Sequence, residues 1–141
     1  MRRRSVIVLS AIVFAAGWWA GNQQALRAQP RARVFEVRTY TANEGKLADL
    51  HAMFRDHVTK LFEKHGMQNV GYWSPTDAPL SHNTLIYVLA FPDRDAARKS
   101  WDAFRSDPEW QAVLKAADAN GRVVGSVDSV FAEATDYSPL R

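Results

Sequence analysis

The residue types best suited to chemistry open an alternating stretch, Val34-Phe35-Glu36-Val37-Arg38-Thr39-Tyr40. Strict alternation of strand-forming types predicts a β-strand with Glu36, Arg38 and Tyr40 on one side and Phe35, Val37 and Thr39 on the other. A carboxylate and a guanidinium two residues apart on one strand face are within reach of each other. Two roles fit them. In one, Arg38 binds an anionic group, Glu36 orients it or serves as a base, and Tyr40 supplies a hydroxyl. In the other, Glu36 and Arg38 are a structural ion pair at the rim of a dimer interface. His57, at the edge of a helix's apolar face, can act as a general acid or base or simply hydrogen-bond a neighbour. His65, next to Gly66, reads as a cation at a helix C-terminus. Tyr72, Trp73, Tyr87 and Trp101 are either core or the lining of an apolar pocket. The catalytic candidates are therefore His57, Arg38 and Glu36. The ligand-binding candidates are Glu36, Arg38, Tyr40, His57, Trp73, Tyr87 and Trp101.

Several chemistries are excluded. The chain has no cysteine, so it has no disulfide, thiolate metal site or cysteine nucleophile. His51 and His57 point in different directions on one predicted helix, and no histidine pair has metal-ligand spacing, so no metal site is expected. There is no glycine-rich phosphate loop and no Gly-x-Ser-x-Gly elbow, which leaves nucleotide use and serine hydrolysis unsupported. No cofactor is implied.

The elements that would position these residues follow from periodicity. From Glu44 to about His65, Leu47, Leu50, Phe54, Val58 and Leu61 recur at three and four, one face of a helix of roughly six turns that Gly66 stops. Asn69 to Ser74 is a short strand ended by Pro75, and Thr84 to Phe91 is a strongly apolar one. Pro92-Asp93 opens a second helix with Ala97, Trp101 and Phe104 on one face. Ser106-Asp107-Pro108-Glu109 has the Ser-x-x-Glu form of a capping box, so the helix breaks near Arg105 and restarts with Trp110, Val113, Leu114 and Ala117 inward. Asn120-Gly121 ends it, and Val127 to Glu133 is the last strand.

Strand, helix, strand, strand, helix, strand with right-handed crossovers gives an α+β, ferredoxin-like βαββαβ protomer: a four-stranded antiparallel sheet with its helices on one face. Tyr, Trp and Leu side chains on the other face would form an apolar patch, and a second copy is the simplest cover. A homodimer through the sheet face is expected.

The 141 residues carry a formal net charge of +3. Arg2, Arg3, Arg4 and Arg27 fall in the first 28 residues, which contain no acid, and the rest has 14 basic against 15 acidic residues. The domain is nearly neutral, and nucleic-acid binding is not expected of it. Arginines followed by the apolar run Val6 to Ala20 have the build of an export signal, cut near Ala25 or Ala28. Trp18 and Trp19 at its far end also suit a retained anchor, tethering the chain through residues 5–21. Residues 1–28 are thus a signal peptide or uncleaved anchor, a linker runs to Arg33, and 34–141 are the domain. The expected location is periplasmic or extracellular, or anchored in the inner membrane facing the periplasm.

Glu36-x-Arg38-x-Tyr40, Phe54-Arg55-Asp56-His57, Lys64-His65-Gly66, Gly71-Tyr72-Trp73 and Trp101-x-x-Phe104-Arg105-x-Asp107-Pro108-Glu109-Trp110, with the closing Tyr137-Ser138-Pro139-Leu140, resemble the NIPSNAP family of dimeric α/β-barrel proteins. The resemblance covers Val34 to Leu140 and implies a barrel closed by two sheets. Its fold-mates include oxygenases, lyases and haem-linked enzymes, so it implies a scaffold without fixing a reaction. With no catalytic constellation evident, the sequence favours a homodimeric module that binds a small apolar ligand or a protein partner. A small-molecule enzyme of the dimeric α/β-barrel type is the alternative.

Overall fold

The structure is a computed structural model that describes residues 33–140. The expected leader, 1–28, and all but the last residue of its linker lie outside the described residues. Strands β1 (Val34–Ala42), β2 (Gln68–Trp73), β3 (Thr84–Phe91) and β4 (Val124–Glu133) form one antiparallel sheet in the order β2-β3-β1-β4. Helix α1 (Leu47–Met53) continues through a π turn (Phe54–Val58) into α2 (Thr59–Lys64), and α3 (Arg94–Ser106) is followed by α4 (Pro108–Ala117). The element order and sheet are those of the ferredoxin-like arrangement.

Local chemistry explains the boundaries. The first helix begins at Leu47 and not at Glu44 because Gly45 has φ 73° and the Lys46 N–H donates to Asn43 O at 2.9 Å, closing a turn. Leu50, Phe54, Val58 and Leu61 are buried as expected, joined by Met53 and Phe62. At the other end Gly66, φ 76°, lets Met67 N–H reach Phe62 O at 2.9 Å while its own N–H reaches Glu63 O at 3.0 Å. That pair of bonds is a Schellman stop, and Met67 and Phe62 are both in the core.

Asp93 caps α3, its Oδ1 accepting from Ala96 N–H at 2.7 Å. The cap of α4 is one residue later than the Ser-x-x-Glu string suggests. Asp107 Oδ1 accepts from Glu109 N–H at 2.8 Å, while Ser106 Oγ donates back to Asp102 O at 2.8 Å. Trp110, Val113 and Ala117 are only partly buried and Leu114 is exposed, so α4 lies against the edge of the core and not within it.

The core lies between the helices and the side of the sheet that carries Leu85, Tyr87 and Leu89. Its centre is aromatic: Phe62 meets Trp101, Phe104 and Tyr87 with ring centroids 5.1 to 5.8 Å apart, and Tyr87 stacks on Tyr72 at 5.4 Å.

The other face of the sheet differs from expectation in its residues. Tyr72, Tyr87, Leu85 and Leu89 point to the helices. Strand register instead aligns Val130, Val37, Val88 and Gly71 in one row, with Asp128, Thr39, Ile86 and Trp73 in the next and Phe35 in the row before. Val130 is 63% exposed and Trp73 52%. The Trp73 indole lies over Gly71, where a Cβ would come within 2.6 Å of its Cη2. Among the described residues no helix is long and apolar enough to cross a membrane.

Candidate functional site

Glu36 and Arg38 do share a side of β1, and it is the helix side. Their cross-strand partners are Leu89 and Tyr87 on β3, and Phe131 and Ser129 on β4. Trp101 of α3 crosses above them. The pair is therefore beneath a helix and not at the rim of the open sheet face, because the residues of β1 that reach that face are Phe35, Val37 and Thr39.

Glu36 is 1% exposed, and its carboxylate is fully engaged. Arg38 Nη1 and Ser129 Oγ both donate to Oε1 at 2.6 Å, and Trp101 Nε1 donates to Oε2 at 2.6 Å. One donor from its own strand, one from neighbouring β4 and one from the helix turn a costly buried charge into a clamp between layers. The Arg38 guanidinium lies 4.2 Å from the Trp101 ring and 5.6 Å from the Tyr40 ring, a cation–π arrangement. Burial alone would lower the Arg38 pKa, but the neighbouring Tyr87, Tyr40 and Glu36 outweigh it and hold the pKa above its ordinary value. Its Nε is buried without an acceptor.

A cleft of about 470 Å³ opens beside this cluster, lined by Glu36, Arg38, Trp101 and Phe131 together with Arg94, Asp95, Arg98 and Arg105 of α3. The Arg94 guanidinium sits 3.8 Å over the Phe131 ring. The other candidates are elsewhere. Tyr87 is fully buried and Tyr40 packs beside it, with ring centroids 5.3 Å apart. Burial chiefly, with Tyr40 adding to it, pushes the Tyr87 phenol well above its ordinary pKa, and its hydroxyl has no hydrogen-bond partner. Trp73 is on the open sheet face. His57 is exposed and lines a separate groove of about 550 Å³ between α1 with its π turn and α4, whose walls include Met53, Ala52, Ala112, Val113 and Ala116.

The candidates thus do not meet in one pocket: Glu36, Arg38 and Trp101 come together, while Tyr40, Tyr87, Trp73 and His57 do not join them at the cleft. His65 sits at the α2 C-terminus as expected, with Nε2 2.6 Å from Asp107 Oδ2. Sequence reasoning missed Ser129 and Phe131, whose register with β1 is a tertiary fact. It also missed Arg94, Arg98 and Arg105, although with Trp101 they repeat at four, three and four, the interval of a helical stripe. Among the described residues no group of three His, Asp or Glu side chains is placed to hold a metal ion. With both oxygens of Glu36 occupied, the cluster is built to hold charge in place.

The family model of NIPSNAP matches residues 35–139. No curated protein matches the chain. Among solved structures, a NIPSNAP family protein of unknown function from Agrobacterium tumefaciens str. C58 has a TM-score of 0.69 at 19% identity, covering 80% of this chain and 97% of its own. An uncharacterised NIPSNAP-like domain protein from Burkholderia xenovorans has a TM-score of 0.67 at 15% identity, covering 77% and 90%. A cofactor-independent oxygenase from Streptomyces nogalater has a TM-score of 0.53 at 16% identity, covering 77% and 98%. At these identities the structural likenesses establish the fold alone. The family assignment comes from the match over 35–139, which spans most of the 141 residues, and on that ground the chain belongs to the NIPSNAP family.

Proposed function

We propose that the chain is an exported, homodimeric binding module whose two sheets close against each other, and that it holds a small apolar ligand without transforming it. The observation that carries this reading is the open sheet face. With strands about 4.8 Å apart and about 3.3 Å per residue, four strands of roughly eight residues present about 500 Å². Within it Phe35, Val37, Val88, Ile86, Val130 and Trp73 make an apolar stripe beside Thr39 and Asp128, the kind of patch that often serves as an interaction surface. A twofold axis through the Val37–Val88 row would set valine against valine and bring Trp73 of each copy to the margin.

A binding role is supported by two features of the interior. The centre of the layer between sheet and helices is filled by the contacting rings of Phe54, Phe62, Tyr72, Tyr87 and Trp101. The buried Glu36 carboxylate is committed to three donors. The groove beside His57 has apolar walls and a charged rim of Lys46, Asp49 and Asp56, which suits an apolar molecule with one polar end. Native mass spectrometry of the purified chain tests the ligand half of the proposal. Retention of a small molecule that Ala116→Trp expels is the expected result, and equal retention by both proteins would remove the groove from the account.

Export is supported by the arginine-led apolar run of the first 20 residues. Sequencing the N-terminus of protein recovered from a cell envelope fraction should give a start near Gln29, or an intact Met1 in the membrane. An intact Met1 in soluble cytosolic protein would end the export reading.

A further inference from the structure

The cleft over β1 and β4 has an excess of positive charge that the Glu36 clamp does not absorb. Four guanidiniums line it, Arg38, Arg94, Arg98 and Arg105, against two carboxylates, Glu36 and Asp95. Only Arg38 is tied into a buried pair. Arg98 pairs with Asp95 at 3.1 Å and Arg105 with Asp102 at 2.6 Å, both along the exposed surface of α3, where such pairs contribute little. Arg94 has no carboxylate partner among the described residues and rests on the Phe131 ring. The buried Nε of Arg38 is a desolvated donor in want of an acceptor.

Side chains at intervals of four, three and four leave one side of a helix together, so Arg94, Arg98 and Arg105 present their forks along a single wall with Trp101 between them. Like charges held on one wall repel, and an anion between them relieves that repulsion. Guanidinium forks match the oxygens of phosphate in pairs, which lysine does not do. With Asp102 held by Arg105 the net excess is one positive charge, and a phosphate monoester, which carries close to two negative charges at neutral pH, meets Arg94 with no carboxylate partner and Arg98 in only an exposed pair. A volume of about 470 Å³ is larger than a bare phosphate needs and falls in the range of small-molecule sites. We propose that this cleft binds a small organic phosphate monoester, its phosphate held by Arg94, Arg98 and Arg105 and its organic part resting toward Trp101 and Phe131. The site is distinct from the apolar groove beside His57 and does not depend on it.

Phenyl phosphate is the probe, titrated calorimetrically into the full domain at low and at moderate ionic strength, with phenol as the uncharged control. The expected result is one site per chain, affinity that falls as salt rises, and no heat from phenol. Arg94→Ala and Arg98→Ala, both exposed substitutions, should each weaken binding about tenfold, as expected for loss of a charged hydrogen bond. Arg98→Lys should recover only part of it. Circular dichroism and sedimentation of each variant should match the parent, which separates loss of the site from loss of the fold or of the dimer. Vesicles of phosphatidylcholine with and without phosphatidic acid form a second arm. Co-sedimentation that needs phosphatidic acid and is reversed by phenyl phosphate assigns the monoester to a lipid head group, and its absence alongside phenyl phosphate binding assigns a soluble ester. No binding of phenyl phosphate at millimolar concentration, or binding that both alanine variants leave unchanged, overturns the proposal. A monomer that still binds would overturn the dimeric reading and leave this site standing.

Discussion

Glu36 shows how much a single buried carboxylate can be asked to hold. It joins a strand to its neighbour through Ser129 and to α3 through Trp101, partners 93 and 65 residues away in sequence. Alternation in Val34 to Tyr40 was enough to place Glu36, Arg38 and Tyr40 on one side of a strand. It could not reveal which layer that side faces, because Phe35, Val37 and Thr39 are apolar enough to have been the core side instead. Glu36→Ala leaves the Arg38 charge and the Trp101 N–H without their acceptor, and should cost about 3–5 kcal/mol of unfolding free energy, measurable by urea denaturation. Tyr87 gives the opposite expectation. Its hydroxyl is buried without a partner, so Tyr87→Phe removes a desolvation cost while keeping the ring contacts. The same titration should show it unchanged or up to about 1 kcal/mol more stable. A loss comparable to that of Glu36→Ala would mean the hydroxyl has a partner that the structure does not show.

Among the elements, the α3–α4 junction is the most informative. The sequence string marked a break with proline in the first turn, and a break is there. It pointed to Ser106 as the cap, one residue too early, since both residue types cap well. Tertiary contacts decide between them: Asp107 Oδ2 also reaches Lys64 Nζ at 2.7 Å and His65 Nε2 at 2.6 Å, tying the start of α4 to the end of α2, which a serine hydroxyl could not do. Lys64, the Glu109 backbone N–H and His65 hold the Asp107 carboxyl well below its ordinary pKa of 3.8. A carboxylate that resists protonation in the folded state stabilises fully above the ordinary carboxylate range, and that contribution is lost as pH falls through and below it. Asp107→Asn keeps a good cap and removes the charge. Its Tm should fall below that of the parent by several degrees at pH 6, and the gap should begin to narrow near pH 4 and go on narrowing as the pH is taken lower. A gap that is constant with pH would mean that the charge is not what matters. The π turn at Phe54–Val58 was not legible at all, because its apolar residues keep the spacing of an ordinary helix.

At the level of the whole molecule, the topology was legible because the order of elements and right-handed crossovers leave few alternatives. The composition of the open sheet face was not, since β3 is apolar on both sides and only the register says which half turns outward. The register also puts the Glu36–Arg38 cluster and the face proposed for dimerisation on opposite sides of the sheet. Disturbing the cluster should therefore spare dimerisation, while a charge in the Val37–Val88 row should abolish it without touching the core. Val130, at the end of that row on β4 and 63% exposed, is the place to put one. Sedimentation equilibrium at micromolar concentration, comparing residues 33–141 with the Val130→Asp variant, tests the central claim most directly. A parent of twice the chain mass and a folded variant of single mass is the predicted result. A monomeric parent, or a variant that remains dimeric, would contradict it.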